Sequence, residues 1–212
     1  MIQMYDGLDA LPKSLRIYSA SDYATMAPKA GKKEPDFTEH GVWGMDRKGE
    51  LWALEWWYRQ CETDVSIAQF IRLVRQWKPL KHFDEGGLIE KAIGPTIRKA
   101  MRDAHAYVTI ESLPSLQDKG IRLQAFHAMA TAHAIHFPVK RPWADRVIEQ
   151  LVKFPAGRFD DAADVCGLIG RGVDLMFDAQ LPIRDTKPLL TPFTSEWIEY
   201  NDRNEKPKVR YF

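Results

Sequence analysis

The chain has 212 residues, is 45% hydrophobic and 28% charged, and carries a formal net charge of +1. Such a chain is long enough for one sizeable domain with its own core and short for two, and its composition excludes collagenous, low-complexity and wholly disordered classes. Near-neutral charge does not announce a nucleic-acid partner, yet it is compatible with an acidic site set in a basic surface. The cysteines Cys61 and Cys166 lack metal-ligand spacing and point to a reducing compartment. The N-terminal MIQMYDGLDALPKSLRIY has neither the basic start nor the apolar core of a signal peptide, and no apolar run reaches the ~18 residues of a membrane span.

In chain order, residues 1–14 have no period and read as a linker. Leu15 to Ala20 alternate into a strand that delivers Asp22 at its end. The polar MAPKAGKKEP, from Met26 to Pro35, reads as a loop. Strands from His40 to Met45 and from Leu51 to Tyr58 flank a short polar link containing Gly49, the pattern of a hairpin. Ile67, Phe70, Ile71, Val74 and Trp77 recur at helical spacing, with Asp64 or Ser66 as the cap and Pro79 as the stop. A strand over about Leu80 to Asp84 leads into Glu85-Gly86-Gly87, then a helix from Leu88 to His105 and a strand from Tyr107 to Glu111. Three helices follow, over Lys119 to His133, Trp143 to Val152 and Asp161 to Phe177. This order predicts an α/β domain, a mixed sheet flanked by helices. The tail 178–212, with four prolines and many charges, reads as extended.

The chemistry gathers in FPAGRFDDAAD, where Asp160, Asp161 and Asp164 share about one face at the threshold of an apolar helix. One aspartate can cap the helix and meet its dipole, worth roughly 0.3–1 kcal/mol, but three like charges on one face repel unless a cation sits among them. Asp22 closes the first strand and Glu85 the strand before Gly86. Adjacent strand ends and an abutting helix N-terminus would bring these carboxylates together. Hard Mg²⁺ or Mn²⁺ ions prefer such oxygen donors, and two ions about 3.5–4 Å apart can serve an in-line phosphodiester displacement. Asp84 and Glu85 point to opposite faces of a strand, so one of the two reaches such a site. His127, His133 and His136 lack the one-turn spacing of a zinc pair, and Trp43, Trp52, Trp56, Trp57 and Trp77 read as core rather than as a base-stacking platform.

Five segments in order, SLRIYSASDYAT, PDFTEHGVWG, WKPLKHFDEGG, DKGIR and FPAGRFDDAAD, resemble the nuclease domain of the tailed-phage terminase large subunit over about residues 15–177. The resemblance implies a ribonuclease-H-like fold and an endonuclease that cuts double-stranded viral DNA during genome packaging in the host cytoplasm with two Mg²⁺ or Mn²⁺ ions. It makes Asp22, Glu85 and Asp161 the catalytic ligands, with Asp164 or Asp160 beside Asp161, and leaves the role of Asp36 open. It implies the terminase small subunit and the portal protein as partners. No G-x-x-x-x-G-K-[ST] is present, so the packaging ATPase is expected to be absent from this chain, residues 1–14 to be the remnant of an interdomain linker, and the tail a candidate for portal docking. Asp-Ala-Ala-Asp also looks like the last acidic motif of Holliday-junction resolvases, so a junction nuclease of the same fold is the rival enzyme and a non-catalytic docking module the rival of another class. Candidate phosphate contacts are Lys119 and Arg122 at one helix start, Arg98, Lys99 and Arg102 on one helix, and Lys29, Lys32 and Lys33 in the polar loop; a solvated face is the plain alternative for each.

Overall fold

The computed structural model describes residues 1–24, 37–157 and 159–176. Seven strands form one mixed sheet: β1 (Gln3–Tyr5), β2 (Arg16–Asp22), β3 (Thr38–Met45), β4 (Leu51–Arg59), β5 (Lys81–Glu85), β6 (Thr109–Leu113) and β7 (Ile135–Pro138), in the spatial order β1-β7-β4-β3-β2-β5-β6. The meander β2-β3-β4 is antiparallel; β5 and β6 extend it in parallel beyond β2, and β7 and β1 beyond β4. The β3-β4 turn is set by Asp46, whose carboxylate accepts from the amides of Lys48 (2.8 Å) and Glu50 (2.9 Å), and by Gly49 at φ 78°.

Five helices cover the sheet: α1 (Thr63–Trp77), α2 (Leu88–Ala104), α3 (Lys119–Thr131), α4 (Pro142–Lys153) and α5 (Asp161–Gly172). Strand alternation divides the core between the two faces. Tyr18, Ala20, Trp43 and Phe83 pack with Phe126 of α3, Val147 of α4 and Val165 and Ile169 of α5. On the other side α1 and α2 bring together Ile67, Phe70, Val74, Ile97 and Met101. Ser19 and Ser21 also face that second layer, each bonded to a buried histidine: Ser19 Oγ to His82 Nδ1 at 2.8 Å and Ser21 Oγ to His40 Nδ1 at 2.5 Å. His40 Nε2 donates to the Ser66 carbonyl at 3.1 Å, so the neutral ring accepts from Ser21.

Several expectations are corrected. Residues 1–14 are not a structureless linker, because Gln3–Tyr5 pairs in parallel with β7 and Tyr5 donates its hydroxyl to the Ala53 carbonyl at 2.6 Å. The sequence reading places no element between His133 and Trp143, where β7 lies. Neither Asp64 nor Ser66 caps α1; its N-cap position is Glu62, with no side-chain cap bond. Helix α5 ends at Gly172 and passes into a 3₁₀ turn over Val173–Leu175 instead of running on. The tail 178–212, the lysines Lys29, Lys32 and Lys33, and Asp36 lie outside the described residues. Among the described residues no helix is long and apolar enough to cross a membrane.

Candidate functional site

The acidic residues meet because three elements end or begin at one edge of the sheet. In the parallel β2-β5 pair Ala20 lies beside Phe83, which brings the last residues of both strands, Asp22 and Glu85, to the same edge. Asp22 shares its face with Tyr18 and Ala20, and Glu85 shares the same face through Phe83, the face that α5 covers. Alternation sends Asp84 to the other side, near Tyr23, whose hydroxyl pKa is raised first by burial and further by the Asp84 charge. Of the two acids at this strand end, Glu85 is therefore the one beside Asp22. Helix α5 then lays its first turn, with Asp161 and Asp164, over the strand ends.

A narrow cleft of about 10 Å³ is lined by Asp22, Glu85, Arg122, Asp164, Gly167, Leu168 and Arg171. The Asp22 carboxyl is pushed well above the usual carboxylate range, first by burial, then by the negative charges of Asp164, Asp161, Glu39 and Glu85. Asp161 is 4% exposed. Glu85 Oε1 is buried and accepts no hydrogen bond among the described residues. Arg122 Nη1 lies 2.8 Å from Asp164 Oδ1, and Arg171 donates to the Pro114 carbonyl. Burial lowers the Arg171 pKa, Glu85 raises it and Arg122 lowers it further, so the two guanidiniums and the carboxylates feel one another across the cleft.

Asp160 occupies the N-cap position of α5 but makes no side-chain cap bond there. The first-turn amide of Ala162 instead donates to Gln150 Oε1 of α4 at 2.9 Å. A glutamine from a neighbouring helix thus fills the capping role that the sequence assigned to one of the aspartates.

Four residues at the site went unseen in the sequence: Gln150, Arg171 and the pair Glu39 and Arg146. Glu39 lies directly across from Asp22 in the antiparallel pair and is 0% exposed. Its carboxylate accepts from Trp56 Nε1 at 2.6 Å and from Arg146 Nη2 at 2.7 Å. Burial raises the Glu39 pKa while these bonds and the Arg146 charge lower it. The Arg146 guanidinium lies over the rings of Tyr58 at 4.0 Å and Phe37 at 5.0 Å. One signal was available: in TEHGVWGM, alternation puts Glu39 on the same side as Gly41 and Trp43, which face inward.

Of the candidate phosphate contacts, Arg122 alone is seen at the cleft; the Lys119 side chain lies outside the described residues. Arg98, Lys99 and Arg102 are exposed on α2, which packs with α1 on the sheet face opposite α5. Lys99 pairs with Asp103 at 2.8 Å. Trp43 and Trp56 are core residues, whereas Trp52, Trp57 and Trp77 are half-buried; Trp77 donates to Glu55 and Trp52 stacks on His136 at 3.8 Å.

Among the described residues no three His, Cys, Asp or Glu side chains stand close enough together, as placed, to hold an ion. The donor chemistry nevertheless fits a hard divalent cation. The donors are carboxylates only, three of them, Asp22, Glu85 and Asp164, line one cleft, and Asp22 is burdened by four neighbouring negative charges that a cation would relieve.

No family profile and no curated protein matches this sequence. Its fold does match solved structures. The large terminase nuclease of thermophilic phage G20c with bound magnesium superposes with a TM-score of 0.51 at 12% identity, over 76% of this chain and 82% of that one. The large terminase nuclease domain of Thermus phage P74-26 gives 0.51 at 10% identity, over 79% and 84%. The nuclease domain of the large terminase subunit of bacterial virus Sf6, with manganese and beta-thujaplicinol, gives 0.50 at 8% identity, over 79% and 89%. The chain has the terminase-nuclease type of ribonuclease-H-like fold.

Proposed function

We propose that this protein is a divalent-cation-dependent endonuclease of the terminase large subunit type, acting on double-stranded DNA during viral genome packaging in the host cytoplasm. The observation that carries the reading is the meeting of Asp22, Glu85, Asp161 and Asp164 at one sheet edge, in a fold shared with phage nucleases whose structures contain magnesium or manganese.

Asp22, Glu85, Asp161 and Asp164 would hold two Mg²⁺ or Mn²⁺ ions, which when bound supply Lewis-acid polarisation of the phosphodiester and a lowered pKa for the attacking water. Asp22 feels the charges of Glu85 on the neighbouring strand and of the α5 aspartates, so it would contribute to the site together with both. Glu39 stays out of the ligand set, because Arg146 and Trp56 occupy its oxygens. Gln150 fixes the first turn of α5 and so orients Asp161. Arg122 and Arg171 line the cleft and supply positive charge for a DNA phosphate. The basic residues Arg98, Lys99 and Arg102, if they reach DNA, do so away from the cleft through the duplex backbone, and binding should then weaken steeply with salt. The small terminase subunit and the portal protein are the partners this reading implies.

The test is cleavage of supercoiled plasmid with Mn²⁺. The wild-type chain is expected to nick and linearise it, and Asp22→Asn and Asp161→Asn to lose this activity while keeping a wild-type circular dichroism spectrum. Full activity in either folded variant overturns the assignment. Wild-type protein that neither binds Mn²⁺ in calorimetry nor cuts at high concentration would make the chain a docking module.

A further inference from the structure

Among the described residues Arg122 is the one candidate phosphate contact that lines the acidic cleft, and there it faces a carboxylate. It stands on the first turn of α3, whose N-cap Asp118 accepts from the Ile121 amide at 3.1 Å. Its backbone is fixed by the close approach of α3 to α5, since a Cβ on Gly167 would lie 2.8 Å from the Arg122 carbonyl oxygen. The backbone therefore cannot drift, and only the side chain is free to choose a partner. In the protein alone that partner is Asp164, at 2.8 Å, with the two side chains 18% and 20% exposed. Arg122 Nε is buried and has no hydrogen-bond partner among the described residues, so the guanidinium is only partly used. Arg171, from α5, also lines the cleft. The cleft is narrow and is lined by both guanidiniums together with Asp22, Glu85 and Asp164, so an incoming cation meets Arg122 at the same carboxylate.

We propose that Arg122 is a built-in counter-cation for the site: it holds Asp164 while no divalent ion is bound, is displaced when an ion takes that carboxylate, and then receives a DNA backbone phosphate. The inference rests on the cation site described above. Two consequences follow from one guanidinium serving two anions in turn. Arg122 competes with the ion, so removing it tightens ion binding. It reaches DNA only after release, so ion binding tightens DNA binding through Arg122. A fixed structural ion pair would do neither, and a permanent phosphate contact would strengthen DNA binding equally with and without the ion.

The experiment uses Mn²⁺ calorimetry on the full chain without DNA, for wild type, Arg122→Gln, Asp164→Asn and the double variant, with circular dichroism to confirm folding. Arg122→Gln is expected to bind Mn²⁺ about three- to tenfold more tightly than wild type, the range an interaction of a partly exposed ion pair supports. In the Asp164→Asn background the same substitution should change the affinity less than twofold. In a second arm, the affinity for a fluorescent duplex is measured by anisotropy with and without Ca²⁺. Ca²⁺ should strengthen DNA binding by wild type and by Arg122→Lys, which keeps the charge, and strengthen it at least about threefold less in Arg122→Gln. Equal or weaker Mn²⁺ binding by Arg122→Gln, or an equal effect in both Asp164 backgrounds, overturns the counter-cation role while leaving the metal site intact. Absence of Mn²⁺ binding by the wild type overturns the site itself and the inference with it.

Discussion

Gly170→Ala tests whether the contact of α3 with α5 sets the site. A Cβ at Gly170 would lie 2.5 Å from the Phe126 amide nitrogen, 2.8 Å from its Cβ and 2.9 Å from its Cα. Ordinary carbon contacts are about 3.5–4.0 Å, so the two helices must separate by about 1 Å. Phe126 is 2% exposed and touches Trp43, so the movement opens the core on that face of the sheet. Overpacking costs about 1–3 kcal/mol, and a clash with the backbone of a buried helix falls in the upper half of that range, about 2–3 kcal/mol, while the better helix propensity of alanine returns about 1 kcal/mol. A net loss of about 1–2 kcal/mol corresponds to a Tm lower by about 2–8 °C for a domain of this size. Differential scanning fluorimetry reads this directly. Gly94→Ala on α2 is the control, because its Cβ would meet only the mobile end of Arg98, at 3.2 Å; its Tm should be unchanged or higher. A Gly170→Ala Tm equal to or above wild type would refute the close-packing argument, since propensity alone would then have decided the outcome.

Three other outcomes follow from the same geometry. Burial holds His40 and His82 neutral, with pKa values lowered to about 4 and about 3. The unfolded chain takes up these protons below about 6.5 while the folded chain does not, so stability falls as the pH drops from about 6.5 toward 4. The loss at pH 5 is on the order of 2 kcal/mol per histidine, and urea unfolding at pH 8 and pH 5 measures it. Asp22→Asn should raise the Tm of the cation-free protein at pH 8, because the raised carboxyl pKa means that the charged form destabilises the fold above it, and it should abolish any Tm increase on adding Mn²⁺. Arg146→Ala leaves the buried Glu39 carboxylate without its cation and should cost about 3–5 kcal/mol in urea unfolding, most of it recovered by adding Glu39→Gln.

What the sequence made legible was local. Period-two runs marked β2, β3 and β4, period-3.6 runs marked the helices, and the acids stood out because nothing apolar explains them. Strands β1 and β7 did not show, because three and four residues are too few to display alternation. They exist through pairing: β1 lies on β7, which hydrogen-bonds β4 through Leu51 and Trp52. Glu39 and Arg146 were hidden for a different reason. A glutamate in a strand and an arginine on an amphipathic helix read as surface residues until the partner that neutralises each is known, and that partner is 107 positions away. Capping of α5 by Gln150 escaped for the same reason.

Helix α4 contributes no acid to the cleft, yet its Arg146 and Gln150, one turn apart, hold the strand beside Asp22 and the first turn of α5. That coupling is written in a short stretch of chain. An arginine and a glutamine at i and i+4, followed eleven residues after the glutamine by the first aspartate of D-x-x-D, form a spacing that can be searched for directly. At 8–12% identity, where similarity of whole sequences carries little, such a constraint between side chains offers a way to gather distant relatives of this chain. Relatives found by the acids alone, but lacking the tether, would be expected to hold the helix by another device.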